Sequence, residues 1–408
     1  MCPSSFSSPF VPFTLPRIIF IETMANSSHI ISTYLQSEIE RGSFPGAQYV
    51  IGEDQRIVAE DALGLAVVEP ERVSATLETI YDLASLTKPL VTALLIAKFF
   101  EQDLLELNAP VARYLNEFDA AGKRRVTLLS LLTHTSSLPN WRPLYLEAQT
   151  REQVPAAIAR VLIDSEKPGS PEVLYSDLNY ILLGFVLERI TGESLDRLAT
   201  RLIIEPLALK STTFNPPRAW LSRIAATEQG QEFESANAAA MASSANGSLV
   251  DRSVAGSRIS HRWRQGVIRG EVHDGNANFM GGVAGHAGLF STAREVFRIA
   301  NQFLPGSELL EPGSLQLFRD NLTPSCATAR SLAWILAATP DCSAGSALPP
   351  EGFGHNGFTG ISVWMDPDKR RVLVLLTNRV HPRVGPIDMR DIRRRFNTLA
   401  VETLNGES

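Results

Sequence analysis

Apolar residues recur along this chain with two periods. Tyr34, Leu35 and Ile39 share one side of a 3.6-residue repeat, which predicts a helix over 32–39 that stops near Gly42. Two strand-like runs follow, 47–51 and 57–62, around Gly52-Glu53-Asp54-Gln55, and these predict a β-hairpin. The segment 85–101 reads as a buried helix. Helical patterns then dominate at 128–132, 154–162, 178–191 (ending at Gly192) and 293–303. From 228 to 280 the composition turns to Ala, Ser, Gly and Asn with little periodicity, which reads as an extended loop or mobile insertion. β-structure returns at 361–365 and 371–377 around a Pro367-Asp368 turn. A last helix over 388–404 carries Ile392, Phe396, Leu399 and Leu404 on one face.

This order predicts an α/β (α+β) fold. The two chain ends join in one antiparallel sheet flanked by helices, and the middle forms an inserted, mostly helical lobe. The expected bounds are one catalytic domain over 24–404, its α/β lobe at about 28–100 and 330–404 and its helical lobe at about 101–329. A cleft between lobes is a common place for a site. Residues 1–23, rich in Ser and Pro with Arg17 their only basic residue, read as a disordered leader, with Met24 as an alternative start.

Composition narrows the function. The 408 residues are 44% hydrophobic with a net charge of −6, which suits a globular protein and argues against a nucleic-acid partner. No apolar run reaches the roughly 18–20 residues of a membrane helix. Lacking a convincing signal, the chain is expected in the cytoplasm. Three cysteines without a C-x-x-C pair argue against a disulfide scaffold or a cysteine-built metal site. No G-x-G-x-x-G or P-loop occurs, so no cofactor is expected. Only six of the 38 basic residues are lysine.

Three short segments can carry chemistry. Ser85-Leu86-Thr87-Lys88 opens a helix, where residues three apart share a face and the amine reaches the hydroxyl. It reads either as an N-cap beside a surface lysine or as a nucleophile beside its base. Tyr175-Ser176-Asp177 opens a second helix, and Ser176 or Asp177 also suits an N-cap. Gly354-His355-Asn356-Gly357-Phe358 leads into a strand, its glycines serving as turns or as points of close backbone approach to a ligand.

Taken in order, these segments resemble the S-x-x-K, Y-x-N and H-x-G motifs of the serine β-lactamase and penicillin-binding protein superfamily, most closely its class C β-lactamase, DD-peptidase and esterase branch. Tyr81-Asp82-Leu83-Ala84, the segment 131–139 (Ser137 standing for a glycine) and the Gly-rich segment 281–292 resemble the same branch. The resemblance spans about 30–404. It implies a β-lactamase/transpeptidase-like fold and a serine hydrolase that cleaves a small-molecule ester or amide. Ser85 forms the acyl-enzyme, and Lys88 with Tyr175 serves as general base. The backbone N–H groups of Ser85 and Phe358 form the oxyanion hole, and Asp177, His355, Asn356 and Gly357 contact substrate. The alternatives are a DD-carboxypeptidase, D-aminopeptidase or β-lactamase acting on cell-wall-related substrates, and a catalytically silent binding protein.

Two departures bear on substrate. Asp177 replaces an asparagine that can donate to a substrate amide; an aspartate either withholds that bond or pairs with Lys88. His355 replaces a permanent lysine cation with a group expected to titrate near neutrality and to lend Tyr175 a charge when protonated. His134 is expected to hold a loop by hydrogen bonds. His273 and His286 lack metal-ligand spacing with a carboxylate, and His286 is expected to border the cleft. Met241, Met280 and Trp364 read as core or cleft lining. The arginine cluster 390–395 reads as a solvated helix face.

Overall fold

The computed structural model describes residues 17–121, 123–161, 172–243 and 261–406, with the side chains of its first helix described from residue 29. The leader expected over 1–23 lies outside the described residues as far as residue 16, and the helix Arg17–Glu40 follows. The structure has ten strands among these residues: β1 (Gly46–Glu53), β2 (Arg56–Val67), β3 (Val73–Ser74), β4 (Tyr81–Asp82), β5 (Thr213–Phe214), β6 (Leu289–Ser291), β7 (Ile335–Leu336), β8 (Phe353–Asn356), β9 (Ser362–Asp366) and β10 (Arg371–Thr377).

The two chain ends meet in one seven-stranded sheet of order β3-β2-β1-β10-β9-β8-β7, every pairing antiparallel. Its centre is the β1–β10 ladder, with Tyr49 opposite Leu375. The expected hairpin forms. Asp54 and Gln55 both take positive φ (51° and 63°), as a two-residue turn matched to strand twist requires.

Alternation along the central strands sends neighbouring side chains to opposite faces. Tyr49, Ile51, Leu373 and Leu375 pack with Ile31 and Leu35 of the first helix and with Ile392, Phe396 and Leu399 of the last helix, Met389–Asn405. Val50, Val372, Val374 and Leu376 face the other way. They belong to a larger core that includes the helix Ala293–Ala300 and runs on into the helical segment. Both faces are covered, so these strands are apolar along their whole length. A smaller sheet, β4-β6-β5, lies beside the segment that carries Ser85.

Three local expectations change. The helix expected over 85–101 is composite: a 3₁₀ turn at Ala84–Leu86, a π-helical stretch at Lys88–Ala93, then α-helix at Leu94–Glu101. Pro89 explains the irregularity, because it has no N–H to return to Ser85. Within 228–280, the residues Glu232–Ser243 form a twelve-residue helix rather than a loop. Alanine at 236 and 238–240 favours that helix without leaving an apolar stripe. Residues 244–260 of that segment, and 162 at the end of another expected helix, lie outside the described residues. Finally, the run 390–395 is not wholly solvated: Arg393 is buried, because the inward stripe of its helix is broad enough to take in Arg393 and Asn397 as well as Ile392 and Phe396.

Phe396 is fully buried, edge-on to Tyr49 at a ring-centroid distance of 6.1 Å. Phe396→Ala is expected to lower unfolding stability by about 3–5 kcal/mol in urea titrations. A loss below about 1 kcal/mol would show that this helix does not close the sheet.

Candidate active site

Strand β4 leads into the turn that presents Ser85. The Asp82 side chain accepts the Ala84 N–H at 2.8 Å and the His273 N–H at 2.7 Å. Its backbone carbonyl accepts the Thr359 hydroxyl at 2.9 Å. Burial pushes the Asp82 carboxyl upward, and the two N–H donors offset part of that shift. Ala84 takes φ +41°, a conformation that costs energy in any residue with a Cβ. A strained residue held by a buried carboxylate therefore stands directly before the serine.

Lys88 is fully buried beneath the cavity floor. Its ammonium donates to Ser85 Oγ at 2.8 Å and to the His286 carbonyl at 3.3 Å, and forms an ion pair with Asp177 Oδ1 at 2.7 Å. That oxygen has no hydrogen-bond partner besides this ion pair among the described residues. Burial pulls the Lys88 amine down, but Asp177 and the Tyr175 phenol outweigh it, so its pKa is raised and the group is an ammonium. The Asp177 alternatives are thereby separated: its carboxylate is engaged with the lysine. Lys88 Nζ also lies 5.0 Å from the Tyr175 ring centroid.

Tyr175 and Asp177 are positioned by the start of the helix Asp177–Thr191. Ser176 occupies the N-cap position without capping it; its hydroxyl donates to the Pro139 carbonyl at 2.6 Å. The Ser176 N–H donates to His134 Nδ1 at 3.0 Å, and the Asp177 N–H to the Asn140 carbonyl at 2.8 Å. His134 stacks on Tyr175 at 4.6 Å and on Tyr180 at 5.2 Å. Its loop-holding role thus acts directly on the tyrosine.

His355 lies on β8 with its ring 5.7 Å from that of Tyr175. Its Nδ1–H donates to the Asn356 carbonyl at 2.7 Å, which places a proton on Nδ1. The expectation of a group titrating near neutrality fails. Burial, then the nearby charges of Arg330 and Lys88, hold the His355 pKa well below 6.5, so it supplies no cation at neutral pH. Asn356 accepts the Ser343 hydroxyl at 2.9 Å.

The turn at Gly357 and Phe358 is held by two arginines. Arg393 Nη2 donates to the Gly357 carbonyl at 3.0 Å and to the Ile361 carbonyl at 3.1 Å; Arg379 Nε donates to the Phe358 carbonyl at 2.8 Å. The Phe358 N–H belongs to the same peptide unit as the Gly357 carbonyl. It takes no partner among the described residues, and neither does the Ser85 N–H. Two free donors in a confined space suit a developing oxyanion.

Ser85, Tyr175, Asp177, His355, Asn356, Gly357 and Phe358 all line one cavity of about 1030 Å³, with Lys88 below it. His286 and Met241 border it as well. Met280 and Trp364 lie in the core, the latter donating to Ser343 Oγ at 3.3 Å. His273 Nε2 meets Glu228 at 3.0 Å and His286 Nε2 meets Asp274 at 2.9 Å, both as hydrogen-bonded pairs. The cavity also holds Arg330, Arg379, Arg393 and Glu234, which no motif marked among the chain's many arginines and glutamates. Arg330 is 6% exposed and sits 5.5 Å from the Tyr175 ring centroid. Its guanidinium has no hydrogen bond or ion pair among the described residues. Burial pulls its pKa down, opposed by Tyr175 and Tyr180.

Comparison with known proteins follows this geometry. A family model described as Beta-lactamase matches residues 30–396. A protein of Escherichia coli O157:H7, provisionally named a D-alanyl-D-alanine carboxypeptidase, is 31% identical over 385 residues, covering 86% of this chain and 82% of its own. Among solved structures, EstCE1, a hydrolase with promiscuous acyltransferase activity, matches with a TM-score of 0.66 and 19% identity over 95% of this chain and 99% of its own. A penicillin-binding protein homologue from Caulobacter crescentus matches with a TM-score of 0.67 and 20% identity over 92% and 97%. Among the described residues no helix is long and apolar enough to cross a membrane.

His134 and His355 are both held neutral, with pKa values well below 6.5. The unfolded chain therefore binds more protons below pH 6.5. The stability these groups contribute is complete above 6.5 and is lost as pH falls below it, by up to about 1.4 kcal/mol per pH unit for each ring. Imidazole NMR titration is expected to give midpoints far below 6.5 for both, and midpoints near 6.5 would contradict the burial argument.

Proposed function

Because the chain belongs to the beta-lactamase family of serine hydrolases, we propose that it cleaves a small amide or ester through an acyl-enzyme on Ser85, and that the departing fragment carries a carboxylate. The observation that carries this reading is the buried Lys88 ammonium, bonded at once to Ser85 Oγ and paired with Asp177. A buried charge is costly unless it is paired and hydrogen-bonded, and this one directs a bond at a serine oxygen open to the cavity.

Ser85 Oγ bonds to the substrate carbonyl carbon, and the carbonyl oxygen gains charge between the N–H groups of Ser85 and Phe358. The serine proton passes to the Tyr175 oxygen, which reacts as phenolate beside the Lys88 ammonium. Lys88 keeps its charge and holds the serine oxygen as the proton leaves. The carbonyl–nitrogen or carbonyl–oxygen bond of the substrate then breaks, and the proton goes to the departing amine or alcohol. A water molecule next adds to the acyl carbon. Its hydroxyl stays on the released acid and its proton returns to Ser85.

Arg330 supports the choice of substrate. His355 stands where a lysine cation is usual in the family, and it is neutral. The unpaired charge beside it is Arg330, at the Tyr175 end of the cavity. A guanidinium there matches a carboxylate on the departing fragment, in two parallel bonds if both oxygens are reached. A peptide ending in D-alanyl-D-alanine, the terminus in the name of the Escherichia coli relative, has a carboxylate in this relation to its last amide.

The test is hydrolysis of acyl-D-Ala-D-Ala peptides with a free C-terminus or a C-terminal amide, by native, Ser85→Ala and Arg330→Met protein. Native protein is expected to favour the free acid by about 30- to 1,000-fold, the range for a buried charge pair. Arg330→Met is expected to bring that ratio near one, and Ser85→Ala to abolish turnover. A native ratio near one would remove Arg330 from substrate recognition. Equal rates in native and Ser85→Ala protein would remove Ser85 from the chemistry.

A further inference from the structure

The other end of the cavity holds a carboxylate that the chemistry above leaves unused. Glu234, on the helix Glu232–Ser243, lines the same cavity as Ser85 and is only 9% exposed. One oxygen, Oε2, accepts the Gly275 N–H at 3.0 Å and a long contact from Gln231 Nε2 at 3.5 Å. The other, Oε1, is buried beside the Tyr145 hydroxyl, a neutral donor that has no other partner among the described residues. The fold makes room for this carboxylate, since a Cβ on Gly275 would come within 2.2 Å of Oε1. A buried carboxylate met by neutral donors alone, with no cation paired to it, is costly in a native structure.

The groups around Glu234 do not meet that need. Asp274 is of like charge and already committed, its Oδ1 accepting the Ala277 N–H at 2.8 Å and His286 Nε2 at 2.9 Å. His273 is bonded to Glu228. Arg264 lies within electrostatic reach, but its Nη atoms are spent on the Val272 and His273 carbonyls, both at 2.7 Å. Burial, then the charge of Asp274, pushes the Glu234 carboxyl upward. A cation arriving from the cavity would relieve all of this at once.

Glu234 and Arg330 belong to different clusters of side chains. Phe233, its neighbour in sequence, packs on Phe358 at a ring distance of 5.2 Å, and His273 stacks on the same ring at 5.7 Å. Arg330 packs instead on Tyr175, the group that hands a proton to the departing fragment in the scheme above. We propose that Glu234 forms a subsite for an ammonium group on the acyl portion of the substrate. This rests on the acyl-enzyme reading of Ser85 and deepens it: the substrate is a dipolar, peptide-like molecule, its carboxylate at Arg330 and its amine at Glu234.

Two esters of equal shape test it: p-nitrophenyl 6-aminohexanoate and p-nitrophenyl heptanoate, an ammonium against a methyl. The ratio of their kcat/KM values is measured on native, Glu234→Gln, Glu234→Asp and Ser85→Ala protein. At pH 8 the native ratio is expected to favour the amine by about tenfold or more, the range for a charge-assisted bond. It should shrink as pH falls through the Glu234 titration, approach one in Glu234→Gln and persist in part in Glu234→Asp. A native ratio near one, with hydrolysis dependent on Ser85, overturns the subsite and leaves the acyl-enzyme reading intact. If neither ester is cleaved in a Ser85-dependent way, the acyl-enzyme reading falls. Calorimetric titration of native protein with 6-aminohexanamide and heptanamide then decides the subsite: about tenfold tighter binding of the amine supports it, and equal binding overturns it.

Discussion

The Lys88 ammonium sets the geometry on which the rest of the site depends. It has no solvent, so its charge is stable only if it is paired and hydrogen-bonded. Ser85 Oγ and the His286 carbonyl accept hydrogen bonds from it and Asp177 pairs with its charge, and in doing so they fix three distant stretches of chain against one another. The fold reinforces the same junction nearby. Thr92 Oγ1 donates to the Gly285 carbonyl at 2.7 Å, and Thr87 Oγ1 accepts the Leu289 N–H at 3.2 Å. Gly285 lies so close to the helix Asp177–Thr191 that a Cβ there would stand 2.0 Å from the Tyr180 carbonyl. A larger residue at 285 would force that helix away from Lys88, and Asp177 with it.

The cavity is divided electrically by what surrounds that ammonium. On the Tyr175 side, burial, then Arg330 and Lys88, keep His134 and His355 neutral, so the positive charge rests on the guanidinium. On the Phe358 side, burial and then the charge of Asp274 push the Glu234 carboxyl up, while the His286 ring and the Ala277 N–H hold Asp274 down against its burial. Arg393 and Arg379 grip carbonyls of the Phe358 turn and so fix the peptide plane that carries the Phe358 N–H. The cavity thus presents two charges of opposite sign, neither in an ion pair among the described residues.

Much of this was legible in the chain. The strand-like runs 47–51 and 371–377 announced β-structure, and their position at opposite ends of the chain announced a sheet closed by the termini. The ordered motifs at Ser85, Tyr175 and His355 announced which residues would gather. What escaped depends on burial, which local pattern does not report. Arg393 sat in a run of arginines that reads as solvated until its helix is packed. Arg330 and Glu234 belong to no motif and matter because no described residue forms an ion pair with either. His355 looked like a switch because an isolated imidazole titrates near neutrality, and burial, with two cations nearby, removes that behaviour. The helix Glu232–Ser243 escaped because alanine favours a helix without marking a face.

The claim that a buried lysine ammonium prepares Ser85 for acylation is tested most directly by trapping the intermediate. Native protein and Lys88→Met protein are quenched in acid during turnover of a p-nitrophenyl ester, digested and mapped by mass spectrometry. The account predicts an acyl group on the peptide containing Ser85 in native protein and at least about 100-fold less in Lys88→Met, the scale of losing an acid–base group. An acyl group on another residue, or equal labelling of Ser85 in both proteins, would contradict it.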